Sequence, residues 1–231
     1  MPKKVSLKGL ITLLCIGGFT IIAAAVTQNA LLPFDLRIQQ AVFSLRSELL
    51  SDLLIPLTRS GNWQCVALIC AALLVIPKTR KQYGFPLVCS ALFSVSIYEI
   101  LKYIFQRPRP DIALHLIHEG GFSFPSGHSL TSLVVWGTLL LLIRAYARIP
   151  EARWEETCDA PRLTGAVSVN IITGILAAYI VLMGASRVYV GVHFPTDVIA
   201  SWCLGICILL VFYSSFLPVL LPKTEIQTHR F

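Results

Sequence analysis

The sequence predicts an all-α membrane protein: a polytopic bundle of six transmembrane helices with both termini in the cytoplasm. Three observations carry that prediction. Of the 231 residues, 55% are hydrophobic and only 13% charged, about half the charged share of a soluble domain. The apolar residues gather into runs near the ~20 needed to cross a bilayer, without the alternation of a barrel strand. Lysine and arginine are also divided unevenly between the loops at the two ends of those runs.

The first run covers 9–27. A cleaved leader would also explain it, because "AAA" at 23–25 resembles a small-residue cleavage site. The run exceeds the roughly 7–15 apolar residues of a leader core, so it is expected to remain as a span. Residues 28–61 follow, with "FDLRIQQAVFSLRSELLSDLL" apolar at near-helical spacing. That pattern fits an amphipathic helix at the outer interface or a lid packed on the bundle.

The second span, 62–77, is short, and "LLIPLTRSGNW" before it holds a proline and an arginine. It either begins earlier or crosses a thin part of the structure. The remaining spans are expected at 84–104, 128–146, 164–184 and 197–217, with long loops at 105–127 and 147–163. The chain shows no internal repeat or low-complexity tract, so 1–231 is expected to form one membrane-embedded domain.

Twelve of the nineteen lysines and arginines fall at the N-terminus, in "PKTRKQYG", between Arg144 and Arg162 and in the C-terminal tail. The positive-inside bias makes that side cytoplasmic. The net charge of +7 is then mainly topological and faces anionic inner-leaflet lipid. Arginines do not interleave with aromatics, which excludes nucleic acid as a partner. Cys15, Cys65, Cys70, Cys89, Cys203 and Cys207 lie in or beside spans, and Cys158 lies in an inner loop. None stands at metal-ligand spacing from a histidine, so the cysteines read as small hydrophobes.

Polar side chains suited to chemistry form three clusters, all at the outer ends of predicted helices. The first is "LKYIFQRPRPD". Lys102 ends a span, Glu99 can pair with it along the helix, and the prolines push Arg107 and Arg109 into extended backbone. A basic cluster on this side opposes the positive-inside bias.

The second cluster is "FSFPSGHS", in which Ser126 is a candidate N-cap. The N–H groups of Gly127, His128 and Ser129 would then point outward as an anion site. His115 and His118 in the preceding loop have no such framing and read as surface histidines. The third is "SRVYVGVHFPTD". Pro195 can open a helix with Asp197 in its first turn, from which the carboxylate reaches His193 and fixes its tautomer. Arg187 adds a planar donor fork suited to phosphate. Charged groups at membrane depth cost at least about 2.5 kcal/mol each, so such a set marks a functional site.

Together these motifs resemble those of the type 2 phosphatidic acid phosphatases, integral-membrane lipid phosphatases whose fold is related to the vanadium haloperoxidase core. The signature positions are filled by Lys102, Arg109 and Pro110, then Pro125, Ser126, Gly127 and His128, then Ser186, Arg187, His193 and Asp197. The motifs span 102–197, and the helix layout extends the match over most of the chain. Ser201 stands where many relatives have glycine.

The resemblance implies that His193 is a nucleophile forming a phosphohistidine, that Asp197 orients it and that His128 protonates the leaving group. It further implies that Lys102, Arg109, Ser126, Gly127 and Arg187 hold the phosphate, with no metal and no cofactor. One histidine must attack neutral and the other donate as a cation, so a bell-shaped pH dependence is expected.

The resemblance places the active site on the periplasmic or extracellular side of the cytoplasmic (inner) membrane, with the bilayer and a membrane lipid phosphate as partners. A domain of this size without glycosylation-rich loops resembles the bacterial members, which implies undecaprenyl diphosphate or phosphatidylglycerol phosphate as substrate. The motifs are shared by lipid phosphotransferases that pass the group to an acceptor such as lipid A. A silent lipid-binding or transport protein would be expected to have lost His193 or His128, and a haloperoxidase would be soluble.

Overall fold

The computed structural model describes residues 6–158 and 165–221, and among these every regular element is a helix. In order they are α1 (Leu7–Thr27), α2 (Leu32–Phe43), α3 (Glu48–Ser60), α4 (Trp63–Val75), α5 (Phe85–Phe105), α6 (Gly127–Tyr146), α7 (Glu151–Thr157), α8 (Ala166–Tyr189) and α9 (Pro195–Val211). Pro77–Thr79 and a π-turn at Arg80–Gly84 lead into α5, and α9 continues through Phe212–Phe216 and Leu217–Leu220. Lys3, Lys4, Arg162, Lys223 and Arg230, which entered the orientation argument, lie outside the described residues.

Five helices among the described residues, rather than the expected six, are long and apolar enough to cross a membrane. The difference lies at 62–77, where α4 has only 13 residues and a length of about 20 Å. α4 nevertheless packs along part of α5 in the opposite direction. Its start adjoins the N-terminus of α6, where Asn62 Oδ1 accepts from His128 at 3.0 Å. Its end meets the start of α5: Thr79 donates to Leu73 O at 2.8 Å, and a side chain at Gly84 would strike that carbonyl.

α6 is the hub. Its apolar window is 67% buried, against 11% for the first and last spans, which therefore form the periphery. Helices close on it through small residues, as is usual where lipid supplies no hydrophobic drive. A Cβ at Gly137 would lie 2.5 Å from Leu209, and one at Gly205 would lie 2.6 Å from Leu133. Outward-facing Leu13, Ile21, Phe93, Ile171 and Val181 are exposed, as expected of side chains that face lipid. At the end far from the three polar clusters, Tyr146 packs edge-on against Tyr83 at 5.5 Å and tilted against Trp154 at 5.1 Å.

Residues 28–61 form two helices where the sequence suggested one. The chain breaks at Arg46, whose guanidinium donates to Tyr189 O and to Leu114 O at 2.9 Å, and Ser47 caps α3. The polar face of this pair points inward: Asp35, Gln39 and Thr58 are all buried. The physical reason is that Asp35 and Thr58 meet the buried Arg107 and Arg187 of the bundle, so the segment is packed on the bundle by its polar face and leaves Leu36, Leu49 and Leu53 exposed on its outer side.

Candidate active site

Local backbone chemistry delivers the three clusters to one place. α5 stops because Gln106 turns left-handed, with φ 44°, and the alternating prolines then hold Arg107 and Arg109 out of helix. Ser126 caps α6, its hydroxyl accepting from Ser129 N at 3.4 Å. Between α8 and α9 the chain reverses through Gly191 at φ +84°, where a Cβ would strike Leu114 O; only glycine fits. Pro195 then opens α9, and Asp197 in its first turn accepts from Phe194 N at 2.9 Å.

His193 is 1% exposed. Its Nδ1 lies 3.3 Å from Asp197 Oδ2, and its Nε2 lies 3.2 Å from Arg109 Nη1. A guanidinium only donates and a carboxylate only accepts, so the proton sits on Nδ1 and the lone pair on Nε2. Burial, followed by the charges of Arg109, Arg187 and Lys102, lowers its pKa well below the usual histidine value. The imidazole is therefore neutral near pH 7.

Arg187, the largest fully buried side chain, donates Nη1 to Thr58 at 2.7 Å and Nη2 to Glu119. Among the described residues its Nε has no partner. Arg109 is fixed by the carbonyls of Gly120, at 2.7 Å, and Val192, at 2.8 Å, and lies 4.0 Å from Glu119. Burial works to raise the Glu119 pKa, but Arg187, His128 and Arg109 hold it below its ordinary value. Lys102 reaches Glu99 only at 4.0 Å, the outer limit of an ion pair, and stands 5.0 Å from the Tyr98 ring.

One cavity of about 910 Å³ joins these groups. Lys102, Arg109, Glu119, His128 and His193 line its polar end, and Val66, Cys70, Leu74, Val88 and Leu92 continue it as an apolar trough between α4 and α5. Of the expected residues, Gly127 also faces the cavity. Asp197 and Arg187 are buried beside it, in contact with His193 and Glu119, which line it. Ser126 is fully buried and caps α6, its hydroxyl engaged with Ser129. Gly127 accommodates the Tyr98 ring, which a Cβ would meet at 3.2 Å.

Six further residues join the site without having been singled out for it in the sequence. Glu119 and Thr58 hold Arg187, and Asn62 holds His128. Arg107, which had a place only as backbone flanking the first cluster, donates to Asp197 Oδ1 and Asp35 Oδ2 at 2.6 Å each and to Thr196 at 2.9 Å. The one available sequence signal was charge within apolar surroundings, as in Asp35 of "LLPFDLRI". Ser201 turns out to tie α9 to α6, its hydroxyl lying 3.1 Å from Ser126 O and 2.7 Å from Asp197 O. His118 is exposed at the cavity mouth. His115, expected at the surface, instead donates Nε2–H to Pro110 O at 3.0 Å with Nδ1 buried.

Among the described residues no three His, Cys, Asp or Glu side chains gather as a metal-ligand set. The donors that converge are cations and N–H groups, a set matched to an anion with several oxygens.

Comparison with known proteins identifies the family and the fold. Phosphatidylglycerophosphatase B of Bacillus subtilis is 31% identical over 194 residues, covering 81% of this chain and 86% of the relative. The undecaprenyl-diphosphatase of Sulfolobus acidocaldarius is 33% identical over 180 residues, covering 76% and 72%. The crystal structure of a transmembrane PAP2-type phosphatidylglycerolphosphate phosphatase from Bacillus subtilis superposes with a TM-score of 0.70 at 27% identity, over 93% of this chain and 98% of that one. Aquifex aeolicus LpxE shares the fold, with a TM-score of 0.56 at 22% identity over 77% and 94%. The PAP2 superfamily signature itself matches residues 83–219, and this chain belongs to that superfamily.

Proposed function

We propose that this protein is a metal-independent phosphatase that hydrolyses the phosphate or diphosphate of a membrane lipid through a phosphohistidine on His193. The observation that carries the lipid assignment is the cavity: a polar end built of fixed cations opens without a break into an apolar trough between two helices. A soluble phosphate ester would need the first part alone. The names of the two curated relatives favour phosphatidylglycerol phosphate and undecaprenyl diphosphate as substrates.

In this mechanism the phosphate displaces Glu119 from the arginines and offers an oxygen to Arg187 Nε, the buried donor without a partner. Lys102 and Arg109 take the remaining charge. Nε2 of His193 attacks phosphorus while the ester or anhydride bond breaks, and His128 gives a proton to the departing oxygen. Asp197 stabilises the imidazolium that attack creates. Water, deprotonated by His128, then cleaves the phosphorus–nitrogen bond, releasing phosphate and restoring neutral His193.

The lysine and arginine distribution supports six crossings, cytoplasmic termini and a site on the periplasmic or extracellular face of the cytoplasmic membrane. α4, running from the site end to the far end of α5, supplies the short crossing. The test is phosphate release in detergent with EDTA, comparing undecaprenyl diphosphate, phosphatidylglycerol phosphate and phosphatidic acid. Wild-type release that His193→Ala abolishes is expected, and a folded wild type inert on all three contradicts the assignment.

A further inference from the structure

We propose that Asp35, on α2, is a positioning residue for the reaction: it holds Arg107 and the first turn of α9 so that Asp197 presents a charged carboxylate to His193. This rests on the assignment of His193 as nucleophile. Asp35 lies 162 positions from Asp197 in the sequence and far outside the three motifs, on a segment whose amphipathic pattern suggested a surface helix.

The geometry is a fork. Arg107 Nη1 donates to Asp197 Oδ1 and Nη2 to Asp35 Oδ2, each at 2.6 Å, and its plane is laid over the Phe194 ring at 4.1 Å. Asp35 Oδ1 accepts the N–H of Thr196 at 3.0 Å, and its Oδ2 accepts the Thr196 hydroxyl at 2.7 Å. That N–H is one of the unpaired donors at the start of a helix. Asp35 therefore caps α9 from another helix, at the turn that carries Asp197. Asp35, Asp197 and Thr196 are at most 2% exposed and Arg107 is 7% exposed, so solvent screens little of this.

The charges explain why a second carboxylate is present. Arg107 with Asp197 alone would form a neutral pair and would offer little to an imidazolium. Asp35 takes half of the guanidinium, and the trio keeps one net negative charge, located behind His193. The other charged and titratable groups around His193 are Arg109 from the 106–126 loop, Arg187 from α8, Lys102 from α5 and His128 from α6, with Glu119 against the arginines. Four of these five are permanent or potential cations that disfavour the imidazolium, and Glu119 is displaced when substrate binds. The buried side supplies the compensation.

Kinetics of the full-length protein in detergent, measured as a function of pH, tests this. Asp35→Asn is expected to lower kcat by about 10- to 100-fold, the range seen when an outer partner of a working group is lost, with KM nearly unchanged. The acid limb of kcat/KM should move to lower pH, because the imidazolium has lost support. Asp35→Asn with Arg107→Gln removes one charge of each sign, so its acid limb should return to the wild-type position or move to higher pH.

A merely structural role would reduce the folded fraction in both variants and leave the limb in place. That outcome overturns the proposal, as does a double variant shifted to lower pH. If Asp35→Asn does not fold, Arg107→Gln alone decides: it leaves two carboxylates behind His193, so its acid limb is expected to move to higher pH, and a limb left in place or moved to lower pH overturns the proposal. His193→Ala is measured alongside: activity in that variant overturns the nucleophile assignment and this proposal with it, whereas an inactive His193→Ala beside an unshifted Asp35→Asn overturns the proposal alone.

Discussion

His193 and His128 face the same cavity from two helix N-termini, yet their surroundings differ in kind. His193 has a carboxylate behind Nδ1 at 3.3 Å and an arginine before Nε2 at 3.2 Å. His128 is held at Nε2 by the neutral amide of Asn62 at 3.0 Å, and among the described residues no carboxylate bonds it directly. A carboxylate partner stabilises a cation that forms during reaction, whereas an amide orients the ring and leaves its proton free to move. Under the proposed mechanism, nucleophile and proton donor are told apart by these partners, since the side chains are identical.

Removing the carboxylate-held end should cost most. His193→Ala is expected to lower kcat by about 10⁴-fold or more, and Asp197→Asn by about 10³- to 10⁴-fold, values typical of a nucleophile and of the carboxylate behind a histidine. Steady-state phosphate release checks both, and an Asp197→Asn enzyme within tenfold of wild type would show that the carboxylate is dispensable.

Breaking the amide-held end sharpens the contrast. His128→Ala should lower kcat on a lipid phosphate by about 10²- to 10⁴-fold, the range for general acid–base catalysis. With an aryl phosphate, whose leaving group needs no proton, formation of the phosphoenzyme should be largely spared. Equal losses on both substrates in rapid-mixing experiments would remove His128 from the role of proton donor.

A smaller effect is expected from Glu119→Gln, which takes away the carboxylate that, in the proposed mechanism, phosphate must displace from Arg187. Inhibition by inorganic phosphate should strengthen by about tenfold, equivalent to about 1.4 kcal/mol, and phosphate should raise the melting temperature of this variant more than that of the wild type. Weaker phosphate inhibition would instead make Glu119 part of the binding site.

The smallest effect is on stability. Below pH about 6.5 the unfolded chain binds a proton at His193 that the native state, with its lowered pKa, refuses. Stability is therefore complete above that pH and declines as pH falls toward the native pKa. Glu119, held below its ordinary value, adds a loss in the same direction at lower pH. Thermal unfolding in detergent between pH 8 and 5 should show the decline, and His193→Gln should flatten it.

The features legible in the sequence were those fixed locally. The ends of α5 and α6 follow from "RPRP" and "PSG", and the reach from Asp197 back to His193 follows from their spacing across Pro195. The features that escaped depend on contacts between distant segments. Amphipathic spacing in 28–61 reads the same whether the polar face meets water or buried arginines, so the inward side chains of Asp35 and Thr58 were invisible. Arg107 looked like one more cation beside Arg109, because the two differ only in which way an extended backbone points each side chain. Ser126, by contrast, is the cap that its place before a helix predicts.

The central claim is a covalent intermediate on His193, and trapping it is the most direct measurement. Wild-type protein mixed with a lipid phosphate carrying a radiolabelled terminal phosphorus should yield, on alkaline quenching, a labelled protein whose label is lost in acid, as a phosphorus–nitrogen bond requires. The label should map to His193, persist longer in His128→Ala and be absent in His193→Ala. Turnover by the wild type with no label at any quench time, or label retained by His193→Ala, would contradict the mechanism.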